Sequence, residues 1–437
     1  MAEVRVPSGG GDYTLARARV PVSVTEGYEI VADRDGLALV DIFINGGRIE
    51  SVVGAAATPK PDSIDLAGRM VLPAFVDCHT HIDKGHIWPR MPNPDGTFPS
   101  ALDAVGRDRV ARWNASDVER RMEFSLRCAY AHGTAALRTH LDSLPPQETI
   151  SWPVFERMRE RWTGRIALQA CSLVTIEQVR DQLWFSQLVD RVAAAKGVLG
   201  CVTFMVPDLD ELLDRLVGMA AWVGLDLDFH ADETADPLAA SLDRIADVVM
   251  RKRFDRRVLV GHCCSIARQA DDDARRTLDK VAEAGISVVS LPMCNMYLQD
   301  RRVDGTTPRW RGVTLLHEMK ARGIKVALAS DNTRDPFYAY GDLDMLEVFR
   351  EATRVLHLDH PFADWPAAIT ATPAEIMGLR GFGKLHRAAL ANFVIFRGRS
   401  WTELLSRPES DRIVVRSGRA IERALPDYSE LDDLMVA

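Results

Sequence analysis

Residues 68–83 read Gly68-Arg-Met-Val-Leu-Pro-Ala-Phe-Val-Asp-Cys-His-Thr-His-Ile-Asp83. An apolar run, Met70–Val76, leads into Asp77-Cys78-His79-Thr80-His81. Alternate residues of an extended chain point the same way, so His79 and His81 can face one metal ion. A His-x-His pair by itself arises readily by chance. At the end of a buried strand it becomes a pair of imidazoles that can share an ion.

Further along the chain the same phrase recurs: a short apolar run, a polar residue at its C-terminal end, then a helix-like stretch. The runs are Met70–Val76, Ala135–Leu137, Arg165–Ser172, Gly197–Phe204, Leu225–Phe229, Arg257–Val260, Ile286–Leu291 and Ile324–Ala329. Short, nearly continuous apolar runs suit strands covered on both faces, as in a parallel sheet. The amphipathic stretches Ala115–Ala131 and Leu209–Trp222 have the length of crossover helices. Eight such units predict an α/β fold, a (β/α)8 TIM-type barrel, in which chemistry gathers at the C-terminal ends of strands. That is where His79 and His81, His140, His230, His262, Asn295 and Asp331 fall.

The two ends of the chain read differently. Asp41–Ile44 and Ile49–Val53 flank Asn45-Gly46-Gly47, a hairpin signal. Phe393–Phe396 and Arg412–Val415, followed by Ser417-Gly418, repeat the pattern. Neither end is long enough to bury a core alone. Residues 1–69 and 389–437 are therefore expected to pair as a small β-sandwich domain flanking a barrel of residues 70–388.

Composition narrows the class. The chain has 437 residues, 47% apolar and 27% charged, the balance of a soluble globular protein. A net charge of -8 disfavours nucleic acid and anionic membranes as partners. No run approaches the roughly 18 apolar residues of a membrane span, and no secretory h-region opens the chain. The seven cysteines are odd in number and scattered through apolar runs. They read as small hydrophobes in a reducing, cytoplasmic setting. The expected partner is a small molecule, with homo-oligomerisation left open.

Three further residues join the histidine pair. His230 begins His230-Ala-Asp-Glu233 after the fifth run, His262 follows the sixth, and Asp331 follows the eighth. Bland readings stand beside these: His230 as a core histidine, Glu233 as a helix-starting acid, Asp331 as a helix N-cap. Four such candidates at four strand ends are hard to explain as core filling. Neutral imidazoles with one carboxylate suit Zn²⁺ or Fe²⁺ and leave a position for water, whose pKa then falls from about 15.7 towards 7.

On these motifs the chain resembles the amidohydrolase superfamily, and within it the bacterial cytosine deaminase branch. The resemblance runs from about Val71 to Arg350. It is carried by Pro73–Asp83, by Leu137-Arg-Thr-His-Leu-Asp142, by His230–Glu233 and by Ser330-Asp-Asn-Thr-Arg-Asp-Pro-Phe-Tyr-Ala-Tyr-Gly341; Asn295-Met-Tyr-Leu-Gln299 is similar as well. It implies one divalent metal, Zn or Fe, held by His79, His81, His230 and Asp331. It further implies Glu233 as proton shuttle and His262 as the residue orienting the attacking water. Some relatives bridge two metals through a lysine on strand four, but Gly197–Phe204 contains no lysine. The implied reaction is hydrolytic deamination of a nitrogen heterocycle, cytosine-like or a related aminopyrimidine, with water adding at the C–NH2 carbon.

Two positions depart from the cytosine deaminase pattern. Thr175 stands where that branch has a glutamine that reads the ring edge, with Gln169 and Gln178 nearby, and Asn332 stands where the residue after the aspartate is acidic. Changed polar partners imply a changed ring. His81-Ile-Asp-Lys84 and Ser330–Arg334 also resemble enzymes that release alkylamines from hydroxylated triazines. An N-alkylamino-triazine amidohydrolase is thus the runner-up, followed by a cyclic-amide hydrolase and then a non-catalytic heterocycle-binding barrel. Candidate substrate contacts are His140, Thr175, Asn332, Phe337 and Lys84, with His86, Trp88 and Tyr338 as weaker ones. The Cys263-Cys264 pair reads as filler, with no Cys-x-x-Cys partner.

Overall fold

The computed structural model describes residues 4–302, 304–408 and 411–436. The chain divides into two compact units. The first comprises Met1–Asp77, Arg127–Ala136 and Asp344–Pro426; the second comprises Cys78–Leu126, Leu137–Leu343 and Asp427–Ala437.

In the first unit Tyr13–Pro21, Leu37–Asn45, Arg48–Gly54 and Ile64–Asp65 form one four-stranded sheet. The expected hairpin is present: Asn45 pairs with Arg48, and Gly46 and Gly47 both take positive φ (54° and 76°), as a two-residue turn between twisted strands requires. A second sheet joins Val71–Pro73, Phe393–Ile395, Ile413–Arg416 and Arg419–Ala420. Leu15, Val20, Val40 and Ile42 of the first sheet share one apolar core with Val71, Phe393, Ile395 and Val415 of the second.

The run Met70–Val76 therefore is not one strand. Val71–Pro73 pairs antiparallel with Phe393–Ile395, and a separate strand, β1, covers Phe75–Thr80. Both halves are fully buried apolar chain, so hydrophobicity alone does not mark the change of sheet. The remaining barrel strands are β2 (Thr134–Asp142), β3 (Ala167–Leu173), β4 (Leu199–Thr203), β5 (Leu227–Ala231), β6 (Val258–His262), β7 (Ser287–Ser290) and β8 (Val326–Leu328). Strand β2 extends well past the expected Ala135–Leu137, because the polar Arg138, Thr139 and His140 are as buried as the apolar residues before them.

Strands β4 to β8 pair in parallel, in sequence order. Parallel bridges Cys171↔Val198 and Thr175↔Val202 join the β3 edge to β4. The bridge Thr80↔Asp331 joins β1 to the chain leaving β8, with Asp331 N donating to His79 O at 3.0 Å. The ring of eight strands is closed, as expected of a (β/α)8 barrel. Both expected helices form, over Ala115–His132 and Leu209–Val223. Among the described residues no helix is long and apolar enough to cross a membrane. All seven cysteines are buried and none is in a disulfide.

A hydroxyl adds to the backbone bonds across the β3–β4 seam. Ser172 Oγ accepts from Gly200 N at 2.9 Å and donates to Gly200 O at 3.1 Å. Ser172→Ala leaves a buried amide without this partner, at a cost of about 1–3 kcal/mol. The expected outcome is a lower urea midpoint by tryptophan fluorescence; an unchanged midpoint would mean that other pairing carries the seam.

Candidate active site

His79 lies in β1 and His81 one residue beyond it. His140 lies in β2, His230 in β5, and His262 ends β6. Asp331 follows β8 with φ of 64°, a left-handed conformation that Asp tolerates better than most residues. The closed ring brings these together. Asp331 Oδ1 lies 3.2 Å from His81 Nε2 and 3.6 Å from His79 Nε2. His230 Nε2 is 3.3 Å from His81 Nε2. Single donor atoms of His79, His81, His140 and His230 lie within 4.8 Å of one another, and so do those of His79, His262 and Asp331.

The donor set suits a metal ion. Both ring nitrogens of His79, Nδ1 of His81 and of His230, and Nε2 of His262 are buried without a hydrogen-bond partner. Buried polar atoms left in this way are costly unless something else satisfies them. Burial pushes His79, His81 and His230 well below the ordinary histidine range, helped by neighbouring imidazoles and, for His81 and His230, by Lys84. They are thus held neutral, the form that binds divalent ions.

Beside this cluster stand two groups that can handle protons. Glu233 Oε1 is 3.3 Å from His262 Nδ1 and accepts from Asn295 Nδ2 at 3.1 Å. Burial first, then the Asp331 carboxylate, pushes the Glu233 carboxyl well above the usual range. Burial and His140 bring His262 down to about 3. The raised carboxyl is moved towards the range in which protons exchange near neutral pH, while the lowered imidazole stays neutral and serves as a hydrogen-bonding group.

These groups open on a cavity of about 450 Å³. His81, His230, His262, Glu233 and Asp331 form its floor, and Lys84, Thr175, Asn332 and Phe337 line its wall. Helix α1 (Phe98–Arg112) covers it with Phe98, Leu102, Val105 and Arg109, one face at helical spacing. Lys84 Nζ is 3.3 Å from Asp142 Oδ1, and Arg109 holds the other oxygen at 3.0 Å. Burial would lower the Lys84 ammonium, but Asp142, Asp83 and Asp335 raise it overall. Asn332 Nδ2 donates to Asp335 Oδ2 at 2.8 Å, which turns this amide towards its own loop.

His140, expected from the sequence as a substrate contact, sits deeper than the other candidates. It is fully buried and absent from the cavity wall; its ring packs against those of His79, His81 and His230. Its Nε2 faces Asp228 Oδ1 at 3.4 Å, and Arg138 Nη1 donates to Asp228 Oδ2 at 2.9 Å. His86 also lies outside the wall, against the rings of Phe124 and Tyr428. Sequence reasoning missed Arg138 and Asp228. Each lies two residues before a histidine of its own strand, so strand alternation places both on the histidine face. Asp142 and Arg109 carried no such signal.

Comparison with known proteins places this arrangement. Residues 62–122 and 177–421 match the model of the Amidohydrolase family. The chain is 52% identical over 432 residues to a pterin deaminase of Rhizobium rhizogenes strain K84, covering 99% of this chain and 98% of that one. It is 23% identical over 399 residues to the N-isopropylammelide isopropyl amidohydrolase of Pseudomonas sp. strain ADP, covering 88% and 94%. The fold is shared with 5-methylcytosine deaminase from Klebsiella pneumoniae, solved with 5-fluorocytosine, at a TM-score of 0.78 and 21% identity over 95% of this chain and 98% of that one.

His79 depends on the absence of a side chain opposite. A Cβ at Gly261 would lie 3.0 Å from His79 Cε1 and 3.2 Å from Nδ1. Gly261→Ala is expected to tilt this ring and weaken retention of a divalent ion by roughly tenfold, read as metal content against free-metal concentration. Unchanged retention would show that the ring has room to give.

Proposed function

The chain belongs to the amidohydrolase family, and from that premise we propose that it hydrolytically deaminates a fused aminopyrimidine of the pterin type. It hydrolyses C–N bonds, as its family does. The observation that carries the finer reading is the buried Glu233–His262 pair on the floor of the cavity, beside the imidazole cluster. Similarity to a pterin deaminase along almost the whole chain supports this choice of ring over cytosine.

His79, His81, His230 and Asp331 would hold one divalent ion, zinc or iron. When bound, the ion supplies a Lewis acid that lets water react at neutral pH. Glu233 takes the proton from that water and passes it to the ring nitrogen next to the C–NH2 carbon. A second proton, again by way of Glu233, lets ammonia leave. His262 orients the water and stabilises the oxygen that becomes the product carbonyl. Phe337 offers an aromatic face to a planar substrate ring, and Lys84 Nζ, 5.2 Å from the Phe337 ring centroid, is placed to meet a carbonyl on the substrate's edge. Thr175 and Asn332 complete the wall. His140, behind the cluster, supports the ligands from the Asp228 side. A volume of about 450 Å³ falls within the usual range for ligand pockets and accommodates a bicyclic ring. The seven buried cysteines support a reducing, cytoplasmic setting.

Glu233→Gln separates binding from chemistry. Metal content is expected to stay at wild-type level while ammonia release from pterin falls by about 10²–10⁴-fold. Unchanged turnover would remove Glu233 from the mechanism. Ammonia from cytosine alone, or alkylamine release from an N-alkylamino-triazine in place of ammonia from pterin, would overturn the assigned ring.

A further inference from the structure

Helix α2 (Pro292–Leu298) follows β7 and carries Asn295, which is 1% exposed and is not part of the cavity wall. Its Nδ2 lies 3.1 Å from Glu233 Oε1 and 2.9 Å from His262 Nδ1. One amide nitrogen therefore spans both groups assigned to proton handling. One turn on, Gln299 Nε2, at the C-cap of this helix, donates to Glu233 O at 3.2 Å and so also holds the backbone of that residue.

The amide has two hydrogens, and both have work in this position. Donation to Glu233 favours the ionised carboxylate, the form able to take a proton from water. Donation to His262 Nδ1 requires a lone pair there, which puts the ring proton on Nε2. That nitrogen is buried and without a protein partner, in a residue that lines the cavity. The opposite amide orientation would set Oδ1 against the Glu233 carboxylate oxygen, acceptor facing acceptor. In the orientation present, only Oδ1 is left over, the lesser loss.

Resting on the proposed roles of Glu233 and His262, we infer that Asn295 is a positioning residue that fixes the Nε2–H tautomer of His262 and the approach of the Glu233 carboxylate. It does not line the cavity, and it acts through Glu233 and His262. Its contribution appears in the chemical step and not in ring binding.

Two variants in metal-loaded, full-length protein test this. Asn295→Asp keeps the shape and removes the donors, whereas Asn295→Leu removes polarity altogether. Both are expected to keep metal content and to change KM for pterin by less than about threefold, while kcat falls about 10²-fold. A role in packing alone predicts that the isosteric Asp restores kcat, and that outcome would overturn the inference. ¹⁵N-histidine NMR, with His262 assigned by its loss in His262→Gln, supplies a readout independent of turnover. In the wild type Nδ1 should be unprotonated; in Asn295→Asp the new carboxylate should draw the proton to Nδ1. A protonated wild-type Nδ1 would overturn the tautomer assignment. If Asn295→Leu does not fold, Asn295→Asp and the NMR decide the matter alone. Loss of activity in Glu233→Gln with full activity in Asn295→Asp would sink this inference while leaving the proposed function standing. Full activity in Glu233→Gln would sink the proposed function itself.

Discussion

The hydrogen bond from Asp331 N to His79 O, 3.0 Å long, closes the ring of strands and sets the site in one step. It locks the chain leaving β8 to the histidine-bearing end of β1. The Asp331 carboxylate then has nowhere to lie except against His79 and His81. The left-handed backbone at Asp331 is the local cost of that turn, about 1–3 kcal/mol for such conformations, and it persists because pairing on both sides overdetermines it. His262 carries a comparable φ of 68° at the end of β6. Both residues lie at or just past the end of a barrel strand and face the cavity.

The electrostatic consequence is severe. Five imidazoles and several carboxylates share a volume nearly closed to water. Charged imidazoles would repel each other at these distances, so burial and mutual repulsion keep His79, His81 and His230 neutral. The carboxylates respond in the opposite sense: burial and Asp331 raise Glu233, and burial and Asp142 raise Asp83. Lys84 and Arg109 meet at Asp142, and Arg138 meets Asp228. Positive side chains therefore support the cluster from the wall and from behind. Within it, the lone pairs left on neutral rings are the groups a cation satisfies.

The helical cover and the site floor have different physical characters. Phe98, Leu102 and Val105 of α1 present an apolar surface to the cavity, where burial of apolar area is the main source of binding energy for any ligand. The floor is built from residues at strand ends and just beyond them, and the short helix after β7 and its C-cap Gln299 brace Glu233 from outside it. A polar, hydrogen-bonded floor thus lies beneath an apolar cover. Asn295 and Gln299, outside the cavity wall, belong to the apparatus that keeps the floor rigid.

The residue types and their spacing already determined the barrel and the chemistry at its mouth. Apolar runs ending in His79, His230, His262 and Asp331 are a local pattern, because strand burial and strand alternation act over a few neighbouring residues. What that pattern left open depends on partners distant in sequence. The split of Met70–Val76 between two sheets follows from pairing with Phe393–Ile395, more than 300 residues away. Burial of Arg138, Thr139 and His140 follows from the strands and side chains around them. His140 has the same local signature as its neighbours, and only packing puts it behind the cluster instead of at the cavity wall. Asp142 gains meaning from Lys84 and Arg109, and Asn295 from Glu233 and His262. Periodicity thus located the candidates, but their roles were decided by contacts that exist only once the ring of strands is closed.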